Sequence, residues 1–186
     1  MRRTLGTLVS ALLLVACDGT PGARLGTYAV TATMVQNTCG TQVGDYAASA
    51  TFNVVLSLDR GVLSWTPTGA TSATGAYDSS THAFRLDQTT STQAVAPNRA
   101  YQTPGCIIDR VDSVAGTIAI AGDAGTTQLT DVDAGQLAGA FTADETIGYG
   151  SEAGSDCTPV VGVNPGQVLA LPCTITYHMT ATRTGP

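Results

Sequence analysis

The sequence predicts an all-β domain: an antiparallel up-and-down β-barrel of about eight strands, with a β-sandwich as the alternative. Three observations lead there. Apolar residues alternate with Thr, Ser and Asn at period two in one segment after another, the pattern of a half-buried strand. Beyond residue 16, no window repeats its apolar residues at helical spacing. Several joins are short and built from Gly, Asp, Ser and Thr, as hairpins require. Closing such a sheet into a barrel removes the edges that Thr- and Val-rich strands otherwise expose.

Gly26 opens the first strand, where Tyr28, Val30, Ala32 and Met34 alternate with Thr27, Ala29, Thr31 and Thr33. In the second, Ala50, Phe52, Val54, Leu56 and Leu58 form the apolar face. Asp59-Arg60-Gly61 turns the chain into Val62–Thr66, with glycine free to take positive φ. Leu63 and Trp65 share one face of that third strand and read as core. Gly75–Asp78 and His82–Asp87 pair about Ser79, Ser80 and Thr81. Ile107–Ala121 is longer, and its alternation slips near Val111–Val114, which predicts a β-bulge. Leu137, Gly139, Phe141 and Ala143 carry the seventh strand. Ile175, Tyr177, Met179 and Ala181 carry the last, alternating with four threonines and His178.

The N-terminus has a different character. Met1-Arg2-Arg3 precedes an apolar run from Leu5 that ends in Leu14-Val15-Ala16-Cys17. Basic start, short apolar stretch and small-residue site are the parts of a secretory signal peptide. With cysteine directly after Ala16, the stretch resembles the lipobox of bacterial lipoproteins, in which signal peptidase II cleaves before a diacylglyceryl-modified cysteine. That resemblance implies a signal peptide over 1–16, lipidation of Cys17, a tether over 17–25 and a single antiparallel β domain over 26–186. It also implies a bacterial cell-envelope location, lipid-anchored, with inner or outer membrane left open.

Charge narrows the partners. The chain has a formal net charge of −6, and all eight of its basic residues are arginines. Removal of Arg2 and Arg3 leaves the mature part at −8, with its six arginines scattered. An acidic surface without a basic patch argues against nucleic acid and against electrostatic docking on anionic lipid. Membrane attachment is therefore expected through the lipid anchor alone, since no second stretch reaches the roughly 18 apolar residues a helical span needs.

Up-and-down order puts the joins at 59–61, 79–81 and 122–135 at one end. Those at 38–47, 67–74, 89–105 and 149–172 fall at the other. Setting Cys17 aside leaves Cys39, Cys106, Cys157 and Cys173, all in or beside joins of that second end. An even number of cysteines in an exported chain predicts two disulfides. First and last strands are neighbours in a closed barrel, which favours Cys39–Cys173 with Cys106–Cys157. Cys157–Cys173 with Cys39–Cys106 is the next pairing.

Gly26-Thr27-Tyr28 at the start of the first strand and Arg183 at the end of the last resemble the lipocalin-like (calycin) barrels. Those barrels open on Gly-x-Trp and set a final-strand arginine across the ring. The resemblance implies barrel-end packing among Gly26, Tyr28 and Arg183, with tyrosine replacing the usual tryptophan.

Few residues invite chemistry. His178 alternates with the apolar set and so faces outward, and His82 sits at a hairpin. Serines such as Ser64, Ser72 and Ser151 lack a local partner or a Gly-x-Ser-x-Gly elbow. Asp144 and Glu145 are adjacent on a strand and point to opposite faces, and Asp109 with Asp112 shows no catalytic spacing. Asp131-Val132-Asp133-Ala134-Gly135 lacks the third oxygen ligand and closing glutamate of a calcium loop. No Cys-x-x-Cys pair suggests zinc, and Gly69 and Gly75 lack the strand–loop–helix context of a phosphate cradle. The sequence therefore predicts no enzyme, no metal and no cofactor. Its first functional expectation is a structural or interaction lipoprotein presenting bridged loops, away from the membrane, to a protein or a glycan. The second is a barrel that holds a small apolar ligand behind the cysteine-bearing mouth, since Ala32, Ala50, Gly139, Ala143 and Ala181 leave room inside.

Overall fold

A computed structural model describes residues 22–40, 46–100, 102–120, 138–162 and 168–186. Eight antiparallel strands close into one up-and-down barrel in sequence order. They are β1 (Ala23–Asn37), β2 (Ser49–Asp59), β3 (Val62–Pro67), β4 (Ala73–Asp78), β5 (Ala83–Val95), β6 (Cys106–Ile120), β7 (Ala138–Ser151) and β8 (Cys173–Gly185). A single 3₁₀ turn, Thr158–Val160, lies between β7 and β8 among the described residues. The sandwich alternative is excluded by the β1–β8 ladder, which runs from Thr27↔Gly185 to Asn37↔Ile175 and seals the barrel.

Period-two patterning explains which side chains go in. Val30, Val54, Leu56, Leu63, Trp65, Phe84, Leu86, Ile118, Phe141, Ile175 and Met179 are all buried, while the threonines between them face water. β1 begins at Ala23, three residues before the expected start at Gly26, and its register shifts between Arg24 and Gly26. The shift lets both Leu25 and Tyr28 turn inward, each fully buried despite their odd spacing. Gly26 adopts φ +146°, and a Cβ there would lie 2.5 Å from Nε of Arg183. Glycine is required at that crossing.

The hairpin end is packed with rings. Phe141 contacts Tyr28, Trp65 and Phe84 with centroid separations of 5.2, 5.5 and 6.0 Å, the range of favourable aromatic pairs. Phe84 also lies over Gly116, where an added Cβ would come within 2.8 Å of its ring. Burying one such ring contributes about 2–3 kcal/mol.

The predicted bulge near Val111–Val114 is absent. β6 pairs without interruption with β5 from Thr117 to Ile107 and with β7 from Ile108 to Ile118. The apolar alternation breaks there because two inward positions are charged, Arg110 and Asp112. β5 and β7 also run further than their apolar patterns, to Val95 and Ser151.

Strand lengths give the wall an uneven height. β3 and β4 have 6 residues each, against 11 in β2 and 13 in β5. β4 pairs with β5 only as far as Leu86, so the wall drops at 68–72. Beside this notch, Gln88–Ala94 of β5 is exposed on both faces.

The joins that follow β1, β3, β5 and β7 share one end, and there the structure closes two disulfides, Cys39–Cys173 and Cys106–Cys157. This is the favoured pairing. Cys39 bridges β8 across the barrel seam, and Cys106 at the start of β6 is tied to the β7–β8 connection.

Candidate functional site

Three of the eight strands and the β1–β2 segment converge on a polar belt at the cysteine-bearing mouth. Inward parity on β6 delivers Arg110 and Asp112, and on β7 it delivers Glu145 and Tyr149. Register then sets Arg110 opposite Tyr149, and Glu145 between Val114 of β6 and Tyr177 of β8. Arg110 Nε donates to Asp112 Oδ1 at 2.8 Å, two residues along the same face. From the β1–β2 segment, the Tyr46 hydroxyl shares a short hydrogen bond with that of Tyr149. Tyr177 donates to the Ala47 carbonyl at 3.0 Å, which pins this segment over the mouth.

Two hollows flank the belt. One of about 300 Å³ lies beneath the pinned segment, among Ala32, Ala50, Phe52 and Tyr177. The other, of about 240 Å³, opens at the notch between Trp65, Ala73, Leu86 and Val114. Arg110 and Glu145 line both. A third hollow of about 320 Å³ lies outside the barrel beside Cys106, among Pro97, Pro104, Ile107 and Gly154. Among its described lining residues, Glu152 alone is charged.

Electrostatics separate the three charged groups. Asp112 and Arg110 neutralise each other. Burial works against the Arg110 charge, but the Asp112 hydrogen bond and charge outweigh it and hold the guanidinium above its ordinary value. Glu145 is half-buried and has no ion pair or hydrogen bond among the described residues. Its carboxyl is pushed above the usual glutamate value by burial and then by Asp112, with Arg110 opposing. Burial raises the Tyr46 hydroxyl, reinforced by its bond to Tyr149, and burial followed by the Glu145 charge raises Tyr177. All three groups therefore stay as neutral phenols or a reluctant carboxylate near neutrality.

The expected site residues fall elsewhere. Gly26, Tyr28 and Arg183 do meet, at the hairpin end, where Tyr28 opposes Arg183 in the β1–β8 ladder. The Tyr28 hydroxyl is pushed up to about 12 by burial, with the nearby Arg183 charge acting the other way. Cys17, the signal peptide and Asp131–Gly135 lie outside the described residues. His178 does face outward, and its Nδ1 meets Asp144 Oδ1 at 2.7 Å straight across the β7–β8 ladder. That pair is exposed on the outer wall. His82 Nδ1 lies 3.0 Å from the Tyr77 hydroxyl at the hairpin end. No group of three metal-ligating residues occurs among the described residues.

Sequence patterning missed Arg110, Asp112 and Glu145 as inward groups. A signal existed: extending the Phe141–Ala143 parity by one step reaches Glu145. The molecule is thus an eight-stranded antiparallel barrel with an apolar base and a charged, partly open mouth. No protein family, curated protein or solved structure matches the chain.

Proposed function

We propose that the protein is a lipid-anchored lipoprotein of the bacterial envelope whose barrel mouth binds a small molecule. The observation that carries the binding role is the pair of hollows meeting at Arg110 and Glu145. Small-molecule sites are concave, walled by aromatic and aliphatic groups, and supplied with a few convergent polar ones. Phe52, Trp65, Leu86 and Tyr177 supply the walls here, and Arg110, Asp112 and Glu145 the polar groups. The ligand is polar rather than the apolar one expected from sequence, because an apolar guest would strip water from three charged side chains without replacing it.

The anchor rests on Leu14-Val15-Ala16-Cys17. β1 starts at the hairpin end, so a chain tethered at Cys17 holds that end towards the membrane and the mouth away from it. Native mass spectrometry of protein isolated from its own host tests the binding role. A bound small molecule, lost on denaturation, is expected, and consistently empty protein would count against it. Cys17→Ser tests the anchor: the variant should partition into the soluble fraction as folded protein, and full membrane retention would refute lipidation.

A further inference from the structure

We infer that the ligand of the mouth is a small organic cation, with Glu145 as its counter-charge and the rings of Phe52, Trp65 and Tyr177 as its walls. This rests on the proposal that the mouth binds a small molecule at all. It is carried by the pairing of charges inside the barrel. Arg110 already has a carboxylate, Asp112, at 2.8 Å. Glu145 has no ionic partner among the described residues, and it lines both hollows. The belt therefore holds one carboxylate in excess.

Each class of guest meets this belt differently. An anion would face the excess carboxylate and would have to draw Arg110 away from Asp112. A neutral guest would desolvate Glu145 without compensating it. An ammonium group restores the lost hydration of the carboxylate by a charge-assisted hydrogen bond or close ion pair. Aromatic rings line the same hollows, and a ring face attracts a cation but not an anion or a neutral guest. Phe52 of the first hollow and Trp65 of the second stand edge to face at 6.4 Å, so that Glu145 has an aromatic ring in each of the two hollows it lines.

The groups facing Glu145 also set a pH dependence. Asp112 and Arg110 face it from β6, Tyr177 from β8 and Tyr46 from the β1–β2 segment, with Tyr149 on its own strand; Asp87 of β5, at the second hollow, is paired with Arg85 at 2.8 Å. Burial keeps the Tyr46 and Tyr177 hydroxyls neutral around pH 7, and the Arg110–Asp112 pair is balanced. Glu145 is then the group whose protonation competes with the ligand, and affinity falls as pH drops through its raised value.

The test uses the full-length chain and three probes of one shape and different charge: butylammonium, butan-1-ol and butyrate. Trp65 is the only tryptophan, so its emission reports the hollow directly, and calorimetry reports binding without it. Butylammonium should bind at least about tenfold more tightly than the other two, the worth of one charge-assisted bond. Glu145→Gln should abolish that preference. Asp112→Asn should weaken butylammonium and strengthen butyrate, because it frees Arg110 to neutralise Glu145. Circular dichroism confirms that each variant keeps its sheet. Tightest binding of butyrate, or Glu145→Gln without effect on butylammonium, would overturn the cation assignment and leave the binding role intact. Absence of binding by all three probes, together with empty protein from the host, would remove both.

Discussion

Towards the hairpins, the barrel interior is filled by Tyr28, Phe84, Phe141, Leu56, Leu58 and Ile118, none more than 3% exposed. Towards the cysteines, the same strands enclose Arg110, Asp112, Glu145 and unfilled space, and the wall itself drops at β3 and β4. The first half is held by ring packing and, at 60–61 and 79–82, by short turns. The second adds two covalent bridges to a smaller buried cluster of Ile147, Val168 and Ile175. The two ends of one barrel thus differ in how they are held, and each can be perturbed by itself.

The largest effect should come from the bridges. The chain-entropy account allows up to about 5 kcal/mol for the 134-residue loop of Cys39–Cys173 and up to about 4 kcal/mol for the 51-residue loop of Cys106–Cys157. Paired Cys→Ser variants, followed by urea unfolding, should lose stability in that order. Hydrogen exchange should show the loss first around the mouth; uniform loss would erase the distinction between the halves. Next is Phe141→Ala, which leaves a void among three rings and should cost about 3–5 kcal/mol in the same assay. A cost below about 1 kcal/mol would mean that the base is not the packed half.

Glu145→Gln should act in the opposite direction. The folded-state value of Glu145 is raised, so its stabilising contribution is complete below the ordinary value of 4.5 and is lost as pH rises through the folded value. The glutamine variant should therefore match the wild type in acid and become the more stable of the two towards neutrality. A gain that is the same at all pH values would point to packing rather than charge. Smallest of all, His178→Ala on the outer wall should change stability by less than about 1 kcal/mol, as exposed ion pairs do. A larger loss would place a stabilising element outside both halves.

The apolar interior was legible in the sequence because burial there obeys period two: the pattern from Tyr28 to Met34 and from Ile175 to Ala181 gives inward residues directly. Strand order, the two-ended distribution of joins and the cysteine pairing follow from the same count. The open half was hidden by its own chemistry. Arg110 and Asp112 occupy inward positions of an unbroken strand, so a search for apolar alternation reads them as a slip in register. Glu145 truncated the seventh strand for the same reason, although the ladder continues to Ser151. His178 was correctly assigned outward, but its partner Asp144 is 34 residues away and is set by register. No local spacing carries that information.

The Cys39–Cys173 bridge turns most of this chain into a covalent ring, with the Cys106–Cys157 link nested within it. Only two tails leave the ring, β1 and β8, and these are zipped to each other along the barrel seam. A protease that cuts one peptide bond anywhere between residues 39 and 173 opens the ring but separates nothing. Even complete unfolding of the nicked protein leaves a single molecule until a reductant acts. Under the anchor proposed at Cys17, damage to the loops between residues 39 and 173 would not shed the domain from its surface.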